Sequence, residues 1–390
     1  MLNKFRERMS SGSPCGAIIF VLLFAAGISL GGRVLAQNAS QPASRAGDPA
    51  EKVFKNIQVL KGMPAADLQG AMSFIASSLG VDCDYCHRQD KDGTFGSDAV
   101  PAKLRAREMI LMVRRINEET FHGQNLVNCF TCHQGAAKPV SIASVLVLRA
   151  PRPAAAESTA AGPALPSVQE VLDHYVKVLG GQDALDRVKT RVIRIAPLRN
   201  ASADTSLNEV IQKVPGKVMI LDQSPGYTLW AGFNGKEAWA QDSLKSYWGI
   251  LSGSQLHSLM RDAEMYAGSR LRSGYSNVKM TGSESVGDRN AYVISGTSPE
   301  GTREKFYFDS ANGLLLKRHI EEPTAFGWFP LDTNYEGYRD VEGVKIPFVV
   351  RLTSAGGAWG IRTSYMILEV HQNAPIADEQ FEQASVTAKQ

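Results

Sequence analysis

Cysteine is scarce in this sequence, and charge of one sign is scarcer still. Five cysteines occur among 390 residues, far below the density of small secreted scaffolds held together by disulfides. The formal net charge is +3, and all of it sits at the start, where Lys4, Arg6, Arg8 and Arg33 face only Glu7. Without those positions 38 basic and 38 acidic residues remain, and nothing in that balance points to nucleic acid. Long hydrophobic runs are missing too. The apolar run at 17–30 is short of the ~20 residues of a membrane-spanning helix. What is present is 44% hydrophobic residues in a chain of 390, enough for a packed globular protein of two domains.

Residues 1–36 have the layout of an export signal: basic positions, the apolar run, then Val34-Leu35-Ala36 as a cleavage site before Gln37. Arg33, directly after the run, keeps an uncleaved anchor open as the alternative. Cys15 precedes most of the run and is badly placed for a lipoprotein cysteine. The expected location is periplasmic, with attachment to the outer face of the inner membrane left open.

Beyond the signal the chain divides into three. Residues 48–141 have helical periodicity. Residues 142–166 form an Ala/Pro-rich linker containing PRPAAAESTAAGPALP, with little to bury. Residues 167–387 open with a helix, in which Ser167 and Glu170 fit a capping box, Val168, Val171, Leu172, Tyr175, Val176 and Leu179 mark one face, and Gly180-Gly181 ends it. Runs rich in β-branched and aromatic residues follow at 227–233, 291–295, 305–308, 314–320 and 362–370. Turn signals stand at Pro215-Gly216, Asn234-Gly235 and Asn312-Gly313. One helical interruption falls at 254–267.

The four cysteines after the signal lie in two copies of one frame, Cys83-Asp84-Tyr85-Cys86-His87 and Cys129-Phe130-Thr131-Cys132-His133. C-x-x-C-H is the attachment motif of c-type haem. Residues three apart on a helical turn face one way, so two thiols reach the two vinyl groups on one haem edge, and the following histidine is placed to bind the iron. A C-x-x-C redox pair or a zinc site is the competing reading. Zinc ribbons space their pairs by about 15–20 residues, whereas 42 separate Cys86 from Cys129, and zinc leaves the two histidines unexplained. The implied cofactors are two covalently bound haem c groups, attached through Cys83, Cys86, Cys129 and Cys132, with His87 and His133 as axial ligands.

A sixth ligand for each iron is sought elsewhere. A helix at 65–79 carries Leu68, Met72, Ile75 and Leu79 on one face, and another at 103–117 aligns Ala106, Met109, Val113 and Ile116. Each precedes one motif and offers a methionine, a soft ligand that raises the potential. The same methionines also suit ordinary core packing, and Met112 and Met63 are rivals; periodicity does not separate these. His122 is either a distal ligand or a surface histidine. His174, His257, His319 and His371 have no ligand spacing. The basic run Lys103, Arg105, Arg107, Arg114 and Arg115 offers partners for propionates, or a solvated helix face.

On Asn56-Ile57-Gln58-Val59-Leu60, Met72, Cys83–His87, Arg107-Glu108-Met109, Ile116-Asn117 and 129–135, the first domain resembles the cytochrome c subunit of photosynthetic reaction centres. The resemblance implies a multihaem electron donor, with Met72 paired to His87 and Met109 to His133. Known members carry four motifs and this chain two. It also implies that His122 corresponds to a histidine serving a further haem that has no attachment site here. Residues 167–387 resemble periplasmic lipoprotein carriers, on the opening helix and on phrases such as 306–309 followed by 313–316 and 338–340 followed by 343–347. That implies a lipid or quinone as a partner.

The expected fold class is α+β, a small, mostly helical dihaem cytochrome c domain followed by a curved antiparallel β-sheet domain with packed helices. The expected function is single-electron transfer to redox partner proteins, with a membrane-bound reaction centre or electron-transport complex among the candidates. A haem enzyme such as a peroxidase, with an open iron position, and a lipid- or partner-binding module with an accessory haem domain are the alternatives.

Overall fold

The computed structural model describes residues 47–88, 90, 95–139, 165–198, 207–224, 226–243, 248–354 and 364–383. The signal at 1–36 and nearly all of the linker at 142–166 lie outside these residues. Residues 43–390 cluster as one compact unit.

Among the described residues, the segment before the linker carries four α-helices: α1 (Ala50–Val53), α2 (Ala65–Leu79), α3 (Pro101–Phe121) and α4 (Cys129–His133). Helix α2 has the expected bounds. Helix α3 exceeds its expected span at both ends. Pro101 starts it at the first turn, where a missing N–H costs nothing, and His122 in the left-handed region stops it. Helix α2 ends on Gly80 at φ 65. The N–H of Gly135, just after α4, donates to the Ser78 carbonyl at 2.9 Å. A Cβ on Gly80 would collide with the Gly135 carbonyl. Gly80→Ala therefore combines a left-handed alanine, costing about 1–2 kcal/mol, with a backbone clash. Denaturant unfolding is expected to show a loss of about 2 kcal/mol or more, and an unchanged midpoint would mean that α2 and α4 are not docked through this glycine.

Helix α5 (Val168–Leu179) begins at the capping box read from the sequence, Ser167 and Glu170 each accepting the other's backbone N–H. Helix α6 (Gln182–Arg187) follows. The strands are β1 (Thr190–Pro197), β2 (Leu207–Lys213), β3 (Lys217–Ser224), β4 (Tyr227–Phe233), β5 (Ala238–Asp242) and β6 (Trp248–Leu251), then, after helix α7 (Gly253–Asp262), β7 (Ser276–Val286), β8 (Arg289–Thr297), β9 (Arg303–Asp309), β10 (Leu315–Thr324), β11 (Gly327–Val341), β12 (Val344–Ser354) and β13 (Tyr365–Gln372). The three turn signals join β2 to β3, β4 to β5 and β9 to β10.

Among the described residues thirteen strands form one curved antiparallel sheet in the order β6-β5-β4-β3-β2-β1-β13-β12-β11-β10-β9-β8-β7. Two meanders meet in the middle, where β1 pairs with both β2 and β13. The connection from β6 to β7 links opposite ends of the sheet, and α7 occupies it, packed against β3 and β4.

Three of the four apolar clusters among the described residues tie helices to the sheet. Helices α5 and α6 bury Leu172, Tyr175, Leu179 and Leu185 against Phe306, Phe308 and Ile346. Leu259 of α7 packs with Val218, Ile220 and Ala231. The third joins Leu68, Ala71, Phe74 and Ile75 of α2 to Phe326 and Phe329 of the β10–β11 hairpin, with the Phe74 and Phe326 ring centroids 6.3 Å apart. Nothing in the pattern of residues 48–141 announces this last contact.

Candidate functional site

Helix α2 ends at Gly80, and the chain passes directly into a 3₁₀ turn at Cys83–Tyr85. The Cys86 and His87 amides both donate to the Cys83 carbonyl, at 3.3 and 3.0 Å, which curls the motif so that its chemical groups gather. One cavity of about 120 Å³ is lined together by Met72, Cys83, Cys86 and His87, with Leu60, Ile75, Leu79 and Ile110 as apolar wall. Residues far apart in sequence thus line one cavity together.

Burial pushes the Cys83 and Cys86 thiols above their ordinary range, helped at Cys83 by the charge of Asp82. Burial, then the Lys103 charge, pushes the His87 imidazole down, favouring the neutral ring that binds a metal. His87 Nδ1 is buried without a hydrogen-bond partner, and its ring meets Phe95 edge-on at 6.2 Å.

The second motif is the whole of α4. Asn128 caps it, accepting from the Thr131 amide at 3.2 Å while its own amide donates to the Thr131 hydroxyl at 3.1 Å. This box was legible in Asn128 and Thr131, yet goes unnoticed when the motif is read only for its cysteines. Asn117 of α3 anchors the approach, donating to the Val127 carbonyl at 2.7 Å and accepting from the Val127 amide at 3.0 Å. His133 Nδ1 lies 2.9 Å from the Ala136 carbonyl. Donation there fixes the tautomer and leaves Nε2 for a metal. Cys129 is half-buried and Cys132 exposed, and burial raises the Cys129 thiol.

Met109 lies half-buried on α3. The cavity takes Lys103, Ala106, Arg107 and Ile110 from that helix, and Met109 is not among its lining residues. Of the rivals, Met112 is 41% exposed and Met63 packs in the cluster around α2. His122 is exposed at the end of α3. Among the described residues no three His, Cys, Asp or Glu side chains converge as an ion site, so the two C-x-x-C pairs do not meet as a zinc site would require.

The basic run divides in two. Lys103 is buried, its Nζ donating to the carbonyls of Phe95, Gly96 and Ser97 at 2.8–3.0 Å. Arg107 pairs with Asp98 at 2.9 Å and holds that carboxyl well below the usual carboxylate range. Arg114 reaches the Val59 carbonyl. These three clamp the loops around the cavity, while Arg105 and Arg115 pair on the surface with Glu108 and Glu119.

Residues 31–178 match the model of the family described as photosynthetic reaction centre cytochrome C subunit. That match lies in the N-terminal part and covers less than half of the chain. Cytochrome c-554 of Chloroflexus aurantiacus is 40% identical over 88 residues, covering 21% of this chain and 20% of its own. The photosynthetic reaction center cytochrome c subunit of Roseobacter denitrificans is 32% identical over 100 residues (24% and 27%), and that of Thermochromatium tepidum 31% over 117 residues (27% and 28%). The chain thus spans less than a third of the length of these curated relatives. Among solved structures, a LolA superfamily protein from Nitrosomonas europaea is similar at 16% identity and a TM-score of 0.38, covering 57% of this chain and 100% of that one. A DUF1329 family protein from Desulfovibrio piger follows at 15% and 0.37, covering 56% and 98%.

Proposed function

We propose that this chain is an exported dihaem c-type cytochrome that transfers single electrons between redox proteins outside the cytoplasm and has no substrate of its own to turn over. The observation that carries the reading is the single cavity lined by Met72, Cys83, Cys86 and His87. Two thiols, one imidazole and one thioether are the donor set of a c-type haem, and α4 repeats the thiols and imidazole. When bound, each haem supplies a one-electron ferric/ferrous couple.

The chain's own part is ligation, exclusion of water and orientation. The Cys83/Cys86 and Cys129/Cys132 pairs are the covalent anchors. His87 and His133 would each supply an imidazole nitrogen to an iron, the latter aimed by its bond to Ala136. Leu60, Ile75, Leu79 and Ile110 keep water from the first site, and Met72 completes it. Met109 is assigned to the second site on the family resemblance. Redox proteins are the partners, a membrane-bound reaction centre or another electron-transport complex among them.

The test is spectroscopic redox titration of protein matured in the periplasm, with haem counted by mass. Two six-coordinate haems with two midpoints are expected. A mass equal to that of the polypeptide, or rapid carbon monoxide binding by the reduced protein, overturns the reading in favour of a haem-free module or a haem enzyme. Met109→Ala is expected to remove the weak methionine-to-iron band at the red edge of the ferric spectrum. One midpoint should fall by on the order of 59 mV or more, a tenfold change in a one-electron equilibrium. An unchanged titration would show that Met109 is not a ligand.

A further inference from the structure

The β10–β11 hairpin departs from the usual chemistry of a turn. Its strands pair Thr324 with Gly327, which leaves Ala325-Phe326 as the loop, and hairpin loops are ordinarily polar and exposed. Phe326 is instead 8% exposed. The loop is fixed from within. The Thr324 hydroxyl donates to the Gly327 carbonyl at 2.7 Å and accepts from the Phe326 amide at 3.3 Å. The Phe326 ring is stacked on Phe74 of α2, the two planes inclined by 29°.

The hairpin also reaches the second motif. A Cβ on Gly327 would lie 3.2 Å from the Phe74 ring and 3.4 Å from Asn128 Nδ2, so the hairpin backbone passes close to both. Asn128 is the residue that caps α4, and Cys129 follows it. Cys129 in turn packs against the cluster that holds Phe74, Phe326 and Phe329. At its other end α4 is tied to α2, where the Gly135 amide donates to the Ser78 carbonyl. The first site is built differently. Every described residue that lines its cavity falls between 56 and 110, and none comes from the sheet.

Resting on the dihaem reading, we propose that the β10–β11 hairpin is part of the second haem site, with Phe326 as a positioning residue that holds α4 and Cys129 in place through Phe74 and Asn128. The sheet is then built into one redox centre and absent from the other. An apolar, fixed shell controls the access of water to a metal site and so tunes its potential. Removing the Phe326 ring leaves a cavity in the cluster against which Cys129 packs. That loosens α4 and lets water approach the second haem, where it favours the extra positive charge of the ferric state and lowers the midpoint.

The test uses the full chain, expressed with haem maturation, carrying Phe326→Ala in two backgrounds. Cys83→Ala/Cys86→Ala keeps the second haem, and Cys129→Ala/Cys132→Ala keeps the first. Spectroscopic redox titration is expected to show the second haem's midpoint lowered by about 59 mV, a tenfold change in a one-electron equilibrium, with the first haem's unmoved. In F326A alone, hydrogen exchange at the amides of 129–135 should be about tenfold faster, and at 83–87 unchanged. Leu316→Ala, which opens a cluster outside both sites, should move neither midpoint. An unmoved second midpoint, wild-type exchange at 129–135, equal shifts at both haems, or an L316A shift as large as that of F326A overturns the proposal. Should F326A fail to fold, Phe326→Leu, which keeps apolar bulk and loses the ring, decides by the same readings. A chain found by mass to carry no haem overturns the dihaem reading instead, and the exchange comparison then still decides whether the hairpin holds α4.

Discussion

Replacing Cys83 and Cys86 together by alanine is expected to leave a folded protein with one haem per chain, half the wild-type content. The two motifs sit on separate local frames, the 3₁₀ turn at Cys83–Tyr85 and the helix α4, each with its own histidine. Losing one pair of anchors therefore leaves the other frame intact. The Cys129→Ala/Cys132→Ala protein should show the converse. Mass spectrometry reads the count, and redox titration should retain one midpoint in each variant, a different one. Were either double variant to keep both haems, the assignment of that pair would be wrong. Were both haems lost together, the two frames would depend on each other through the Gly80–Gly135 contact.

Arg318→Met is expected to destabilise the folded chain at pH 7 by about 3–5 kcal/mol, the usual result of stripping one partner from a buried ion cluster. Arg318 Nε reaches Glu304 at 2.7 Å and Nη1 reaches Glu264 at 3.0 Å, with side chains only 1–3% exposed. Arg318 Nη2 also donates to the Tyr275 hydroxyl, which donates in turn to Glu304, both at 2.9 Å. Burial alone would raise the Glu304 pKa, but the charge and hydrogen bond of Arg318 outweigh it and the carboxyl lies below its ordinary value. A carboxylate lowered in the folded state contributes stability that is complete above its unfolded pKa and is lost as pH falls through the folded one. In Arg318→Met the sign reverses. An unpaired buried Glu304 is raised, the folded state binds the proton more tightly than the unfolded chain, and stability grows as pH falls. The gap between wild type and variant, read from urea unfolding, should therefore narrow between pH 7 and pH 5. A constant gap would mean that charge at this cluster is not what the arginine supports.

The sheet and the helix that opens it were legible where local rules dominate. The capping box at Ser167, the turns at Pro215-Gly216, Asn234-Gly235 and Asn312-Gly313, and the β-branched runs all mark elements that the structure contains, because caps, turns and strand propensity act within a few residues. The sheet order was not legible. That β1 joins β13 is a pairing between residues more than a hundred positions apart, for which the chain has no local signal, and that α7 carries the chain between the sheet's two ends follows only from that strand order.

The same division holds at the site. C-x-x-C-H, written twice, determined by itself which four thiols and two imidazoles form the candidate site, since anchor and ligand share one turn of backbone. Only tertiary structure decided the surroundings. Met72 reaches the first motif because Gly80 lets α2 turn into it. Lys103, which the sequence leaves between a propionate partner and a solvated face, is withdrawn to hold three carbonyls. Arg191 reads as one arginine in a strand, and only the curve of the sheet buries it beside a cavity with the Tyr266 ring against its guanidinium. Local sequence sets what each side chain can do chemically; burial and long-range packing set which of them stand together and which lack a partner.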